Sequence, residues 1–190
     1  MSLNIYKPNK SNSGFAFSFS QGLDKRTQEP VLYMRAIGQY SWDDKKRIGS
    51  FFENRENPEK HINLKFNEFE CGSIISCLQN RHDYESFHKY EDNQTIIRFT
   101  PWDKSQKIKK LDPKTKEFKE RSQVIPAFGI SVTRNGNQTF KISLEPGEVE
   151  CIKIYLSNIL KNIYEARLEK IKKLIRANSK EANDTTRPPF

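Results

Sequence analysis

Two stretches of this chain, LKFNEFECGSIISCLQN (residues 64 to 80) and ISLEPGEVECIKIYLSN (residues 142 to 158), superimpose without a gap at a shift of 78. Leu64 falls on Ile142, Phe66 on Leu144, Glu70 on Glu148, Ile74 on Ile152, Leu78 on Leu156 and Asn80 on Asn158. Self-similarity at a fixed shift marks an internal repeat, and this one restricts the fold to architectures built twice from a strand that runs directly into a helix.

The local patterns agree. Apolar residues alternate at Phe15, Phe17, Phe19, at Leu32, Met34, Ala36 and at Ile62, Leu64, Phe66 in the first half. They alternate again at Ile97, Phe99, at Phe128, Ile130, Val132 and at Phe140, Ile142, Leu144 in the second. A period of two is that of half-buried antiparallel strands. The period then changes to that of a helix, with Cys71, Ile74, Ile75 and Leu78 on one stripe and Val149, Ile152, Leu156, Ile159 and Ile163 on the other. Asn67 is placed to cap the first helix with Glu70 three residues on, while Pro146 suits a first turn and Glu148 repeats Glu70. The expected class is α+β, each copy reading strand, strand, strand, helix over 14–80 and 94–176 of a single domain. A long C-terminal helix is expected from Pro146 to about Ala177, and a flexible tail over 177–190.

The connections differ between the copies. Arg134-Asn135-Gly136-Asn137 carries the strongest short hairpin signal, whereas the equivalent link in the first copy is a long loop from Gln39 to His61. A second long excursion is expected from Asp103 to Gln123, with turn chemistry at Asp112-Pro113.

Charge narrows the function. The formal net charge is +9, and residues 104 to 121 and 161 to 180 each carry +5, so the rest of the chain is nearly neutral. Segregated positive charge points to a polyanion. The aromatic content of 12% argues for a folded core. Three cysteines make no disulfide framework, and no apolar run approaches a membrane span; an intracellular protein, cytoplasmic or nucleoid-associated in its own cell or a host's, is expected.

Catalytic constellations are sparse. His61, His82 and His88 have no zinc spacing to a cysteine, the glycines form no phosphate loop, and no nucleophile elbow occurs. Neither cofactor nor metal is expected. The one enzymatic pattern is Asp103 with Glu117 and Lys119, an echo of the carboxylate pair with which metal-dependent nucleases position water; a basic adaptor for an acidic protein partner is a third reading. Binding chemistry is better represented. If Leu32, Met34 and Ala36 face the core, Tyr33 and Arg35 face outward, as do Lys65 and Lys141; Arg98 does so with Trp102 at its strand end. Together with Lys107, Lys109 and Lys110, these offer stacking platforms and phosphate contacts, which is what sequence-tolerant single-strand binding requires.

Two strand-helix copies with outward sheet faces resemble the Whirly class of single-stranded nucleic-acid binders, which includes plant Whirly proteins, kinetoplastid guide-RNA-binding proteins, positive cofactor four and Pur-alpha. The resemblance covers roughly residues 14 to 176. It implies a non-enzymatic protein whose sheets bind bases of single-stranded DNA or RNA and whose helices hold a homo-oligomer together. The terminal Arg187-Pro188-Pro189-Phe190 is similar to the Pro-Phe end of bacterial single-strand-binding proteins, which implies a protein partner for the tail.

Overall fold

The computed structural model describes residues 2–111 and 117–184, with the side chains of 119 and 179–184 excepted. The repeat is present, with one more strand in each four-stranded sheet than the apolar pattern predicts and a small two-stranded hairpin besides in the first copy. The first copy consists of β1 (Ser2–Lys7), β2 (Phe15–Leu23), β3 (Pro30–Gly38), an excursion holding β4 (Ser41–Asp43), β5 (Ile48–Ser50) and a 3-10 turn at Phe52–Asn54, then β6 (His61–Phe66) and α1 (Glu68–Asn80). The second consists of β7 (Tyr84–Tyr90), β8 (Asn93–Leu111), β9 (Phe118–Arg134), β10 (Gln138–Leu144) and α2 (Pro146–Asp184). Each copy forms an antiparallel four-stranded sheet, in the orders β1-β2-β3-β6 and β7-β8-β9-β10. The added strands, β1 and β7, lie at sheet edges. In β1 only Ile5 is buried, and β7 has no buried residue, so neither sequence shows the alternation that betrays an inner strand.

The inner faces of both sheets and both helices share one core. Phe17, Phe19, Phe66 and Phe99 are fully buried in it, each worth roughly 1.5–3 kcal/mol of transfer free energy. The residues matched by the repeat are buried as pairs: Leu64 with Ile142, Phe66 with Leu144, Cys71 with Val149, Ile74 with Ile152, Leu78 with Leu156. An edge-on contact between Phe15 and Phe140, with centroids 5.7 Å apart, joins the two sheets. The helix starts also match. Asn67 Oδ1 accepts the Glu70 amide and Glu70 Oε2 accepts the Asn67 amide, a complete capping box.

The hairpin at 134–137 has Asn135 at φ 50° and Gly136 at φ 73°, which is the twist-matching turn that Asn-Gly favours. The Lys-rich stretch is not a loop. It continues β8 and β9 as a two-stranded ribbon whose ladder runs from Thr95↔Arg134 to Leu111↔Phe118. Polar residues on both faces of that ribbon hide the period-two signal, which needs a buried side to be visible. The turn at Asp112-Pro113 lies outside the described residues, as does 185–190. Helix α2 runs to Asp184, past the expected Ala177, because 178–183 contains neither proline nor glycine to stop it. No described helix is long and apolar enough to cross a membrane.

Candidate nucleic-acid interface

Antiparallel register sets the outer face of the first sheet in cross-strand rows. One row is Ser2, Ser20, Tyr33 and Lys65; the next is Asn4, Ser18, Arg35 and Asn63; the third is Tyr6, Ala16, Ile37 and His61. The sequence-predicted Tyr33, Arg35 and Lys65 are therefore neighbours, as alternation requires. None is idle. The Tyr33 ring lies over Gly22, where an added Cβ would meet it at 2.7 Å. Arg35 donates from Nε to Asn63 Oδ1 at 2.9 Å and from a terminal nitrogen to the Arg55 carbonyl at 3.4 Å. Lys65 pairs with Asp24, and that contact, with the Thr27 and Arg26 amides, holds the Asp24 carboxyl well below the usual range.

On the second sheet, Glu85, Arg98, Ser131 and Lys141 form one row, followed by Thr100, Gly129 and Ser143, then Trp102 opposite Ala127. Arg98 and Lys141 are thus brought together, but Glu85 already pairs with Arg98 at 2.5 Å. Lys141 has no ion-pair partner among the described residues, and Trp102 is 41% exposed. Beside Lys141 is a groove of about 550 Å³, lined by Thr100, Gly129, Ser131 and Ser143 from this sheet and by Lys7 and Phe15 from the first copy.

Past Trp102 the same outer face continues onto the ribbon. By alternation and register it carries Lys104, Gln106, Ile108 and Lys110 from β8, with Ile125, Gln123 and Arg121 from β9. The opposite, helix-side face carries Asp103, Ser105, Lys107, Lys109 and Leu111, with Val124, Ser122, Glu120 and Phe118. Contacts agree with this division: Ser105 meets Ser122 at 2.9 Å and Lys107 approaches Glu120 at 3.6 Å on one face, while Lys104 pairs with Glu145 at 2.5 Å on the other. The three predicted lysines are consequently split. Lys110 shares a face with Arg121 on which Glu145 is taken up by Lys104, whereas Lys107 and Lys109 flank Glu120 on the face that is nearly neutral.

Asp103 and Glu117 are not brought together. Asp103 sits at the base of the ribbon, ion-paired to Arg81 at 2.9 Å. Glu117 precedes Phe118 at the far end, eight or more strand residues away, about 26 Å at roughly 3.3 Å per residue. No cluster that could hold a metal occurs among the described residues. Burial pushes the Cys71 and Cys77 thiols up to about 12 and about 11, so both are inert core groups.

Reading the sequence missed a second basic surface. The excursion folds back over the outer face of the first sheet, with Phe51 buried against Ala16 and Ile37. Arg47 and Arg55 stand at its rim, and the Arg55 guanidinium lies over the Phe52 ring, 4.8 Å from its centroid. The signal was two arginines flanking a pair of aromatic residues in RIGSFFENR, inside a stretch whose net charge is zero.

The far half of α2 leaves the body after polar contacts from Asn162, Arg167 and Lys170. Arg167 donates to Glu29 Oε2 at 3.0 Å and to Glu68 Oε1 at 2.8 Å. Ile163 is buried, but Leu168, Ile171 and Leu174 are each more than half exposed.

Neither a protein-family profile nor a curated protein matches the chain. Solved structures do. WHY3 from Arabidopsis thaliana superimposes with a TM-score of 0.54 at 14% identity, over 90% of this chain and 94% of that one. WHY1 from the same plant gives 0.52 at 12% identity, over 100% and 96%. The plant transcriptional regulator PBF-2 gives 0.50 at 14% identity, over 89% and 85%. With two copies of a four-stranded antiparallel sheet followed by a helix, and Whirly proteins as structural neighbours along nearly its whole length, this α+β chain has the Whirly fold.

Proposed function

We propose that this chain binds single-stranded nucleic acid without catalysing its cleavage, largely independently of sequence, in replication, recombination or transcription. The observation that carries the reading is the continuity of one surface. Arg98 and Trp102 on β8, with Lys141 beside them on β10, lead along the same side of the sheet to Lys110 and Arg121 on the ribbon. An exposed indole and hydroxyls around a bare glycine supply stacking and hydrogen bonding, and the ribbon supplies cations spaced along an extended path, the combination that tracks a flexible polyanion. DNA is favoured over RNA because one structural neighbour is a plant transcriptional regulator. The exposed apolar stripe on α2 favours assembly into a homo-oligomer, and a protein partner for the Pro-Phe end completes the proposal.

Fluorescence anisotropy with matched single-stranded DNA, single-stranded RNA and duplex, with and without magnesium, tests it. Tighter binding of the single strands without cleavage is expected. Magnesium-dependent cleavage would revive the nuclease reading, and absence of binding to all three would leave the basic faces to an acidic protein partner.

A further inference from the structure

We propose that the groove which residues 39–60 build over the outer face of the first sheet is a seat for unpaired nucleotides, with bases stacking on Tyr6 and Phe52 and phosphates meeting Arg47 and Arg55. This rests on the nucleic-acid reading above but concerns a different surface from the one that carries it.

Two adjoining hollows, of about 480 and 130 Å³, share Tyr6, Phe51 and Arg55. The first is walled by Arg47, Ile48 and Phe52, and the second reaches down to Arg35 on the sheet. No residue lining either hollow is acidic. Yet the excursion contains five carboxylates, and three of them have local employment. Asp43 Oδ1 accepts the Lys45 and Lys46 amides, Asp44 accepts the Trp42 indole N–H and pairs with Lys10, and Glu53 accepts the Ser50 hydroxyl at 2.6 Å. Those three acids are thus committed locally, and neither Arg47 nor Arg55 has an ion-pair partner among the described residues.

The wall is fixed before any ligand arrives. Buried Phe51 anchors it in a small core with Ala16 and Ile37, buried Asn54 donates to the Gly38 carbonyl at 2.9 Å, and Arg35 donates to the Arg55 carbonyl. Buried Gln39 exchanges two hydrogen bonds with the Asn9 backbone, at 2.8 and 2.9 Å, which holds the rim next to β1. From the second copy, Arg134 donates to the Pro58 and His61 carbonyls. On this fixed frame Tyr6 is 57% and Phe52 67% exposed, too exposed to be explained by packing. Exposed rings beside unopposed guanidinium groups match a nucleotide, which is flat and apolar on one part and anionic on another.

The test uses the full chain and an oligothymidylate carrying 5-bromouracil. Photocrosslinking followed by mass spectrometry should give adducts on the peptides containing Tyr6 or Phe52. The double variant Arg47→Ala/Phe52→Ala, both positions exposed, should lose about tenfold or more in affinity at unchanged melting temperature, and Phe52→Trp should retain binding with its fluorescence quenched by the oligonucleotide. Wild-type affinity in the double variant, with loss in Lys110→Ala/Arg121→Ala, would overturn the groove and leave the nucleic-acid reading standing. No binding of any single strand by the wild-type chain would overturn both.

Discussion

Glu70 and Glu148 stand 78 residues apart and make the same hydrogen bond: each turns back to accept the amide of the residue before its helix, Asn67 at 3.0 Å and Glu145 at 2.7 Å. The repeat is therefore chemical as well as topological. Its copies have diverged around that bond, since Glu148 also pairs with Lys7 at 2.6 Å, while Glu70 accepts from Ser86 at 2.7 Å and from His88 at 2.5 Å.

Burial works to raise the Glu70 carboxyl, but donation from His88, the Asn67 amide and Ser86 outweighs it and holds the group below its ordinary value. A depressed carboxyl stabilises the fold fully above the unfolded value of 4.5 and loses that contribution as pH falls through the folded one. Glu70→Gln should cost about 1 kcal/mol at neutral pH. Urea titrations should show the gap between variant and wild type closing below pH 4.5; a gap that widens in acid would contradict the assignment.

The two faces of the ribbon should behave differently. Lys110→Ala/Arg121→Ala should reduce the slope of log K against log salt for a single strand by about 1.4, at about 0.7 for each phosphate no longer neutralised. Lys107→Ala/Lys109→Ala, on the face that holds Glu120, should change it by less than half as much. Equal effects would mean that the ribbon acts as a diffuse charge rather than as a sided surface.

Tyr33 and Trp102 both have the sequence setting of stacking platforms, and the structure separates them. Tyr33 covers Gly22, so Tyr33→Ala should lower stability by about 1 kcal/mol as well as affinity. Trp102→Ala should weaken binding with little change in melting temperature. Thermal denaturation alongside anisotropy distinguishes the two; a Trp102→Ala protein that melts early would make the indole a packing group.

Assembly is checked by truncation after Lys170, which spares buried Ile163 and the Arg167 contacts to Glu29 and Glu68. Sedimentation should show the mass falling to that of a monomer, with the far-ultraviolet spectrum still that of a folded α+β chain. An intact chain that already sediments as a monomer would end the proposal that α2 holds copies together.

Inner strands and helix starts were legible because burial leaves a periodic trace: Phe17, Phe19, Met34, Ile62 and Ile74 are all within 1% of complete burial. Edge strands left none, since β7 reads YESFHKY and has no fully buried residue. The outward residues Tyr33, Arg35, Lys65, Arg98 and Lys141 followed from alternation. Their ion pairs with Asp24 and Glu85 did not, because those partners come from a hairpin and an edge strand whose register no local pattern sets. Likewise Arg47 and Arg55 belong to a neutral excursion, where a count of charge conceals what folding sorts by side.

Because β8 and β9 pass from the core into the arm without a break, the arm inherits its sidedness from the core by parity. From Ile97 to Lys110, odd positions belong to one side and even positions to the other. One residue inserted into β8 beyond Lys104 would leave every core contact intact and exchange the two surfaces of that strand alone, turning Lys107 and Lys109 toward the sheet face and Lys110 away from it, while Glu120 and Arg121 keep their sides because β9 enters the core by its own end. Two inserted residues would restore the order. Length variation in either strand of this arm therefore preserves its sidedness only in pairs, and a single-residue change would test the proposed binding role of the arm apart from the fold.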